Sequence, residues 1–233
     1  MSSFSNPIDF FSILNARGTD YLVLRNYENL TETDSFFLDG HPDIDILCRD
    51  SMEIVNSINA QTTRKDIPPF KGDGTHYYIF IEGKKVSLDL RFPGDGYYCQ
   101  TWEEDMLQRK RMVDGFYVMA PEDYFFSLIY HAVVQKRVFT EEYRIRLIEM
   151  AADLGLFPDS LNENGFLSLL QDYMRKHGYV FEYTKDCTVP CRFHLVDKKL
   201  IRNDWSRRFI HWRFDTKVSL IEMLVHVKHV LFR

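Results

Sequence analysis

The sequence predicts an α+β fold in which a mixed β-sheet flanked by helices is followed by a mainly helical C-terminal half. Two stretches indicate the sheet, because residues 43–46 and 85–91 alternate apolar and polar side chains with the period of two that a half-buried strand requires. The helical half is indicated by apolar residues that recur at helical spacing from Pro121 onward. This change in pattern predicts an α/β core at 1–119 and a helical domain at 120–233.

The elements expected in the first half follow from apolar runs and from the residues that interrupt them. Pro7 at a first helical position and Gly18 after the last turn delimit a short helix, residues 7–15. Turn residues and capping residues delimit the others in the same way. They are strands at 21–24, 43–48 and 116–119, helices at 51–60 and 101–112, a turn at 72–74, and a hairpin of strands at 76–81 and 85–92 joined by Glu82-Gly83.

The second half is predicted to contain four helices. Pro121 opens the first of them, and Glu122 and Asp123 follow in the first turn, where the helix dipole favours negative charge. The expected helices cover 121–137, 141–154, 161–177 and a segment from about Lys217 onward, with strand-like pieces at 179–183 and 191–196.

Three acidic residues on two of the predicted strands form the candidate site. Asp43 and Asp45 are two positions apart, so their carboxylates leave the same face of a strand. Asp89 lies on the polar face of the strand at 85–91. If the two strands are neighbours, the three charges repel one another unless a cation joins them, and hard oxygen ligands suit Mg²⁺ or Mn²⁺. The alternative is that these are ordinary acids of a turn and a strand edge.

Composition excludes several classes of protein. Hydrophobic residues make up 45% and charged residues 27% of the chain, as in an ordinary soluble domain. The net charge of −5 argues against sequence-independent binding of nucleic acid, which requires a basic face. The four cysteines form no dense framework, residues 1–6 do not resemble a secretory leader, and no apolar run reaches the length of a membrane span. We therefore expect reduced thiols and a cytoplasmic protein.

The order of these features resembles the DNA polymerase β-like nucleotidyltransferase superfamily. The resemblance covers residues 21–91 and rests on a helix, a strand, the polar loop 38–42, a D-x-D strand and a hairpin strand with a third Asp. The stretches 21–30 and 121–136 resemble an uncharacterised bacterial subgroup.

This resemblance implies a metal-dependent enzyme. It would transfer a nucleotidyl or related phosphoryl group from a nucleoside triphosphate to an acceptor, which can be a small molecule, a glycan precursor or a macromolecule. The resemblance implies Asp43, Asp45 and Asp89 as catalytic metal ligands, with Asp89 also activating the acceptor. In such chemistry two cations stabilise the attacking and the leaving oxygen.

Four residues are candidates for contacting the substrate: Arg25, Asn26, Arg91 and Lys136. Superfamily members usually carry a glycine pair at the turn after the first strand, where this chain has Arg25 and Asn26. A guanidinium can bind phosphate, whereas Asn26 is expected not to match the backbone freedom of glycine. Because of this departure, a second functional class remains possible. The chain would then be a non-catalytic nucleotide- or partner-binding module on a degenerate nucleotidyltransferase fold.

Segment 202–217 is the remaining feature. It holds five basic residues against two acidic ones, with Trp205, Phe209 and Trp212 interleaved. One interpretation is a weak contact with an anionic surface, such as a glycan, an RNA or a membrane. The other is a cationic outer face that covers a packed aromatic row.

Overall fold

The structure is a computed structural model that describes residues 3–31, 42–63 and 75–231. It confirms the α+β class, with one mixed sheet and helices packed on both of its faces. The turn predicted at 72–74 and nearly all of the polar loop predicted at 38–42 lie outside the described residues. No helix in the described ranges is both long and apolar enough to cross a membrane.

Eight strands in the described part of the chain form one sheet. They are β1 (Ser3–Phe4), β2 (Tyr21–Val23), β3 (Asp43–Cys48), β4 (Gln61–Thr62), β5 (His76–Ile81), β6 (Lys84–Arg91), β7 (Arg111–Val113) and β8 (Phe116–Val118). Their order is β1-β5-β6-β3-β2-β8-β7, and β4 pairs with β5. Because β3 runs parallel to β6 and antiparallel to β2, the D-x-D strand lies in the middle of the sheet with a partner on each side.

Seven α-helices complete the described fold. They are α1 (Pro7–Ala16), α2 (Ser51–Ile58), α3 (Gln100–Arg109), α4 (Pro121–Ile129), α5 (Glu141–Asp153), α6 (Glu163–His177) and α7 (Trp205–Leu231). Several begin at the caps that the sequence offers. The side chains of Asn6, Asp50 and Thr140 accept hydrogen bonds from backbone N–H groups in the first turns of α1, α2 and α5.

The helix that begins at Pro121 is shorter than predicted. It does not reach Arg137 as an α-helix, because α4 ends at Ile129 and a π-helical turn follows over Tyr130–Val134. Arg192 donates hydrogen bonds to the last two carbonyls of that turn, at 2.9 and 3.1 Å, and so replaces the next helical turn. The apolar pattern could not show this, since the π-turn is buried on all sides just as the helix is.

The last helix begins earlier than predicted. α7 begins at Trp205 rather than near Lys217. Asp204 caps it, since its Oδ1 accepts hydrogen bonds from the backbone N–H groups of Ser206 and Arg207 at 3.1 and 3.0 Å. The sequence did not indicate this earlier start, because aromatic and basic residues are mixed in the first half of α7 and the helical period is hard to recognise there.

The strand-like pieces predicted at 179–183 and 191–196 are also wrong. A single isolated bridge between Phe181 and Ile201 is the only pairing recorded for these segments among the described residues. Phe181 and Phe193 are instead core residues, and their rings pack edge to face at 6.0 Å. Their apolar character reflects burial against the helices, not membership of the sheet.

Two apolar clusters cover the two faces of the sheet. On one face α1 and α2 pack against Ile44 and Ile46 of β3. On the other face the helical half packs against Leu22 and Leu47. Because side chains alternate along a strand, Asp43 and Asp45 share a face with Leu47 and look toward the helical half.

Candidate active site

The three predicted acids lie on one face of the paired strands β3 and β6. Asp45 is in direct register with Asp89 across the parallel pair, and Asp43 is opposite Ser87. The carboxylates line a cavity of about 340 Å³ between the sheet and the helical half. The prediction that the two strands are neighbours and bring the acids together is therefore confirmed.

The carboxylates hold an excess of negative charge. Desolvation, and then the charges of Asp45 and Asp89, together raise the pKa of Asp43 to about 6, although Asp43 is exposed at the mouth of the cavity. Burial also raises the pKa of Asp89, and the charge of Asp45 adds to this effect. Both shifts mean that ionisation of these two carboxyls is less favourable in the cavity than in water, and an added cation would offset this effect.

Arg25 is the internal counter-ion of Asp45. Its Nη2 atom lies 2.6 Å from Asp45 Oδ2, and the two side chains are 7% and 13% exposed. Burial lowers the pKa of Arg25, but the Asp45 carboxylate and two neighbouring tyrosines raise it more, so the guanidinium stays charged. The sequence predicted Arg25 as a phosphate ligand, whereas here its charge is directed at a carboxylate.

Asn26 corrects one expectation from the sequence. Its backbone is left-handed, with φ 55° and ψ 30°, the region that glycine would reach without cost. Asparagine is one of the few other residues that adopt this conformation readily. The turn after β2 is therefore sharp without a glycine. The Asn26 side chain accepts a hydrogen bond from Arg146 Nη1 at 3.0 Å, which ties the turn to α5.

His76 and Asp186 contribute to the cavity wall and were not predicted from the sequence. His76, on β5, is paired in register with Asp89, and its Nε2 atom lies 3.8 Å from Asp89 Oδ1. Asp186 comes from the irregular segment after α6, and its Oδ2 atom lies 3.3 Å from the same ring nitrogen. No pattern around Asp186 could have indicated it, because the contact depends on how a segment without regular structure returns to the sheet.

Arg91 lies beneath these groups. Its Nη2 atom is 3.7 Å from Asp89 and 3.5 Å from Asp186, and its side chain is only 4% exposed. Its Nε and Nη1 atoms are buried and have no hydrogen-bond partner among the described residues. The guanidinium also lies 4.3 Å from the centre of the Tyr97 ring. Arg91 therefore supports the carboxylates from below and presents little surface to a ligand.

The helical half supplies the opposite wall of the cavity. Lys136, just after the π-helical turn, is exposed and lines the cavity, as predicted. It makes no ion pair with the described residues.

His131 is buried in the same wall, where its Nδ1 atom lies 3.4 Å from the Tyr97 hydroxyl and from Gln135 Oε1. Burial, and then the charges of Arg25 and Lys136, hold the pKa of His131 well below its usual range, so the ring is neutral.

A second, smaller cavity of about 290 Å³ adjoins the first. The two cavities share the lining residues Asn26, Lys136 and Tyr143. A ligand whose phosphates reach Lys136 would thus have room for a further group on the α5 side.

Whether a divalent cation can bind to these carboxylates depends on Asp45, because Asp45 is already paired with Arg25. Within the described ranges, no group of three or more His, Cys, Asp or Glu side chains is arranged to hold a metal ion. The chemistry of the donors nevertheless suits Mg²⁺ or Mn²⁺, since the acids offer oxygen ligands and two of them have raised pKa values. A cation that used Asp45 would compete with Arg25 for its carboxylate.

Comparisons with known proteins give two similar structures. No family model matches the chain, and the search among curated proteins finds no similar sequence. One solved structure, an antigenic nucleotidyltransferase-like protein from Paracoccidioides brasiliensis, is 14% identical with a TM-score of 0.40, over 74% of this chain and 89% of that one. The other, the antibiotic-resistance factor ANT(2'')-Ia, is 12% identical with a TM-score of 0.37, over 74% and 91% of the two chains. At these scores neither likeness identifies a family or a function.

Proposed function

We propose that this chain is a nucleotidyltransferase-like enzyme. It would transfer a nucleotidyl or related phosphoryl group from a nucleoside triphosphate to an acceptor hydroxyl. The acceptor oxygen would form a bond to phosphorus as the bond to the leaving group breaks, and that group is pyrophosphate in nucleotidyl transfer or the nucleoside diphosphate in phosphoryl transfer. The observation that carries the proposal is the register of Asp45 with Asp89 on parallel strands, on one side of a cavity whose other side presents Lys136. Carboxylates that attract a cation and a lysine that attracts phosphate are what a metal–triphosphate complex requires.

The acids would hold the metal. Asp43, Asp45 and Asp89 are the residues proposed as its ligands, and a bound Mg²⁺ or Mn²⁺ would add positive charge beside the phosphate oxygens. The excess negative charge at Asp43 supports this assignment, because it favours the entry of a cation.

Each remaining group has a proposed task. Lys136 would neutralise charge that develops on the phosphate oxygens. Asp89 would accept the proton of the acceptor hydroxyl at a carboxylate oxygen, and its raised pKa makes it a stronger base than an ordinary aspartate. Arg25 lines the cavity, so a phosphate that contacts it would share its guanidinium with Asp45 or displace that carboxylate.

A binding module without catalysis is the second candidate. The observation that favours it is the ion pair between Arg25 and Asp45, which already occupies one of the three carboxylates. A protein of this kind would bind a nucleotide through Lys136 and the cavity walls and would need no metal.

The two candidates differ in their dependence on a metal. The experiment measures thermal shifts with each nucleoside triphosphate, with and without Mg²⁺ or Mn²⁺, for the wild type, Asp45→Asn and the exposed control Asp159→Asn. The enzyme proposal expects a shift that requires metal and is lost in Asp45→Asn only. A nucleotide shift that is equal with and without metal would favour the binding module. Nucleotide turnover assays with candidate acceptors then test the reaction itself.

A further inference from the structure

The outer face of α7 carries an unusual concentration of exposed apolar side chains. Six of the twelve large apolar residues that are exposed in the described ranges lie on this one helix. Five of the six fall at helical spacing on one stripe: Trp205, Phe209, Trp212, Leu220 and Met223. Trp205 and Trp212 are 68% and 59% exposed. The aromatic row predicted in segment 202–217 is therefore not packed beneath a cationic face but is itself the outer surface.

The opposite face of α7 fixes the helix to the rest of the fold. Arg207 donates hydrogen bonds to the carbonyls of Tyr183 and Gly94 at 3.0 and 3.1 Å. One turn further on, His211 is buried, and its Nε2 atom lies 2.8 Å from the Thr184 carbonyl. These contacts determine which face of α7 points outward, so the stripe cannot turn inward without breaking them.

Basic residues border the stripe. Arg208 lies 5.2 Å from the Trp205 ring, and Arg213 lies 6.0 Å from the Phe209 ring. Neither arginine makes an ion pair with a described side chain. The segment 202–217 carries five basic and two acidic residues, whereas the whole chain has a net charge of −5. Positive charge is thus concentrated beside the exposed rings on an otherwise acidic protein.

From this geometry we propose that the outer face of α7 docks on the surface of an anionic phospholipid membrane. A helix with aromatic residues on one stripe and arginines along its borders lies in the plane of such an interface. Indole rings favour the boundary between lipid and water, and arginines bind the phosphate head groups. The proposal is independent of the nucleotidyltransferase function, since none of the described side chains of α7 lines the cavity between β3 and the helical half.

Other occupants fit this face less well. In a coiled coil with a second copy, the seam that contains Phe209 and Trp212 would continue at Thr216 and Ser219, two polar residues in succession. Single-stranded RNA is bound in grooves that track the backbone, and the outer face of one helix is convex. A membrane surface, which is flat, anionic and partly apolar, matches both the shape and the charge of the outer face of α7.

The test measures binding of the full chain to vesicles of phosphatidylcholine with phosphatidylglycerol, and to phosphatidylcholine alone. We expect sedimentation with the anionic vesicles only, weakened by salt, and a blue shift of tryptophan fluorescence. The shift reports α7, because the third tryptophan, Trp102, is fully buried. The combined variant Trp205→Ser, Phe209→Ser and Trp212→Ser should lower vesicle affinity about tenfold or more, and so should Arg208→Glu with Arg213→Glu.

Matched controls change the same residue types elsewhere on the surface. Phe157→Ser removes a side chain that is 86% exposed, and Lys176→Glu reverses an exposed charge on α6. Both should bind vesicles like the wild type. Loss of binding only in the α7 variants, with unchanged circular dichroism, supports the proposal. It is overturned if the wild type does not bind anionic vesicles, if the controls lose as much affinity, or if the α7 variants instead abolish a dimer or an RNA complex.

Discussion

Arg25 and Asp45 form a nearly buried ion pair, 2.6 Å long, in the wall of the cavity that contains the predicted site residues. The guanidinium takes the position of a counter-ion for the D-x-D strand. Its charge compensates the Asp45 carboxylate, and it would compete with a metal ion proposed to bind there. Stability of the fold and the proposed metal binding would therefore make opposite demands on Arg25.

Loss of the counter-ion should destabilise the protein. In Arg25→Met the Asp45 carboxylate stays buried without its partner, which costs about 3–5 kcal/mol in comparable buried pairs. Urea unfolding of the wild type and the variant measures the difference in free energy. The double variant Arg25→Met with Asp45→Asn, which buries no charge, should recover most of the loss. A cost below about 1 kcal/mol for Arg25→Met, the range of exposed pairs, would mean that the pair is solvated.

Removal of the charge at Asp43 should stabilise the protein, but only at a pH high enough for the wild-type carboxyl to be ionised. The pKa of this carboxyl is raised from an ordinary 3.8 to about 6, so in that interval the folded protein binds more protons than the unfolded chain. The stability that Asp43 contributes is therefore highest below about pH 4 and is lost as the pH rises toward 6.

Asp43→Asn should accordingly be more stable than the wild type at pH 8. We expect about 1 kcal/mol after allowance for the exposure of the side chain, or a rise in Tm of about 2–4 °C. Near pH 4.5 the advantage should shrink, because the wild-type carboxyl is then largely protonated. The control Asp159→Asn should show no such trend. A difference in Tm that is constant between pH 4.5 and pH 8 contradicts the raised pKa of Asp43.

The sequence was sufficient for those parts of the site that follow from strand periodicity. The alternation around Asp43, Asp45 and Asp89 predicted which side chains share a face, and the pairing of β3 with β6 agrees with it. The position of Lys136 on the opposite wall was expected from the change of pattern at Pro121 together with the superfamily resemblance. Local patterns of this kind are readable because one face of each element is buried.

Other parts depend on contacts between distant segments. Asp186 reaches His76 and Arg91 from a segment that has no regular structure, and no periodicity marks it. The π-helical turn at Tyr130–Val134 depends on hydrogen bonds from Arg192. The left-handed turn at Asn26 was misjudged because the sequence suggested that only glycine would suffice, although asparagine adopts this conformation as well.

Lys136 should matter for substrate binding and not for stability. It is exposed and makes no ion pair with the described residues, so Lys136→Ala should change the free energy of unfolding by less than about 0.5 kcal/mol. If Lys136 contacts phosphate, nucleotide affinity should fall about 10- to 100-fold, the effect of losing one charged hydrogen bond. Isothermal titration with nucleoside triphosphates measures this change, and Lys176→Ala on α6 serves as the control. Unchanged affinity in Lys136→Ala would remove this residue from the site.

Asp89→Asn separates the two functional classes. Asn is similar in size, and it removes a carboxyl whose pKa burial and Asp45 have raised, so the fold should survive. In an enzyme the amide could neither accept the acceptor proton nor supply a charged metal ligand. Turnover should therefore fall much more than nucleotide affinity, because the lost interaction is made mainly in the transition state.

The measurement of Asp89→Asn is product formation from labelled nucleoside triphosphates with Mg²⁺ or Mn²⁺ and a panel of acceptors, beside the wild type and Asp159→Asn. Equal product from all three proteins would exclude Asp89 as a catalytic residue. In a binding module the substitution has no reaction to affect and changes at most a metal-dependent affinity. Calorimetry of the same three proteins with and without metal records that affinity, so either function leaves a distinct signature at this one position.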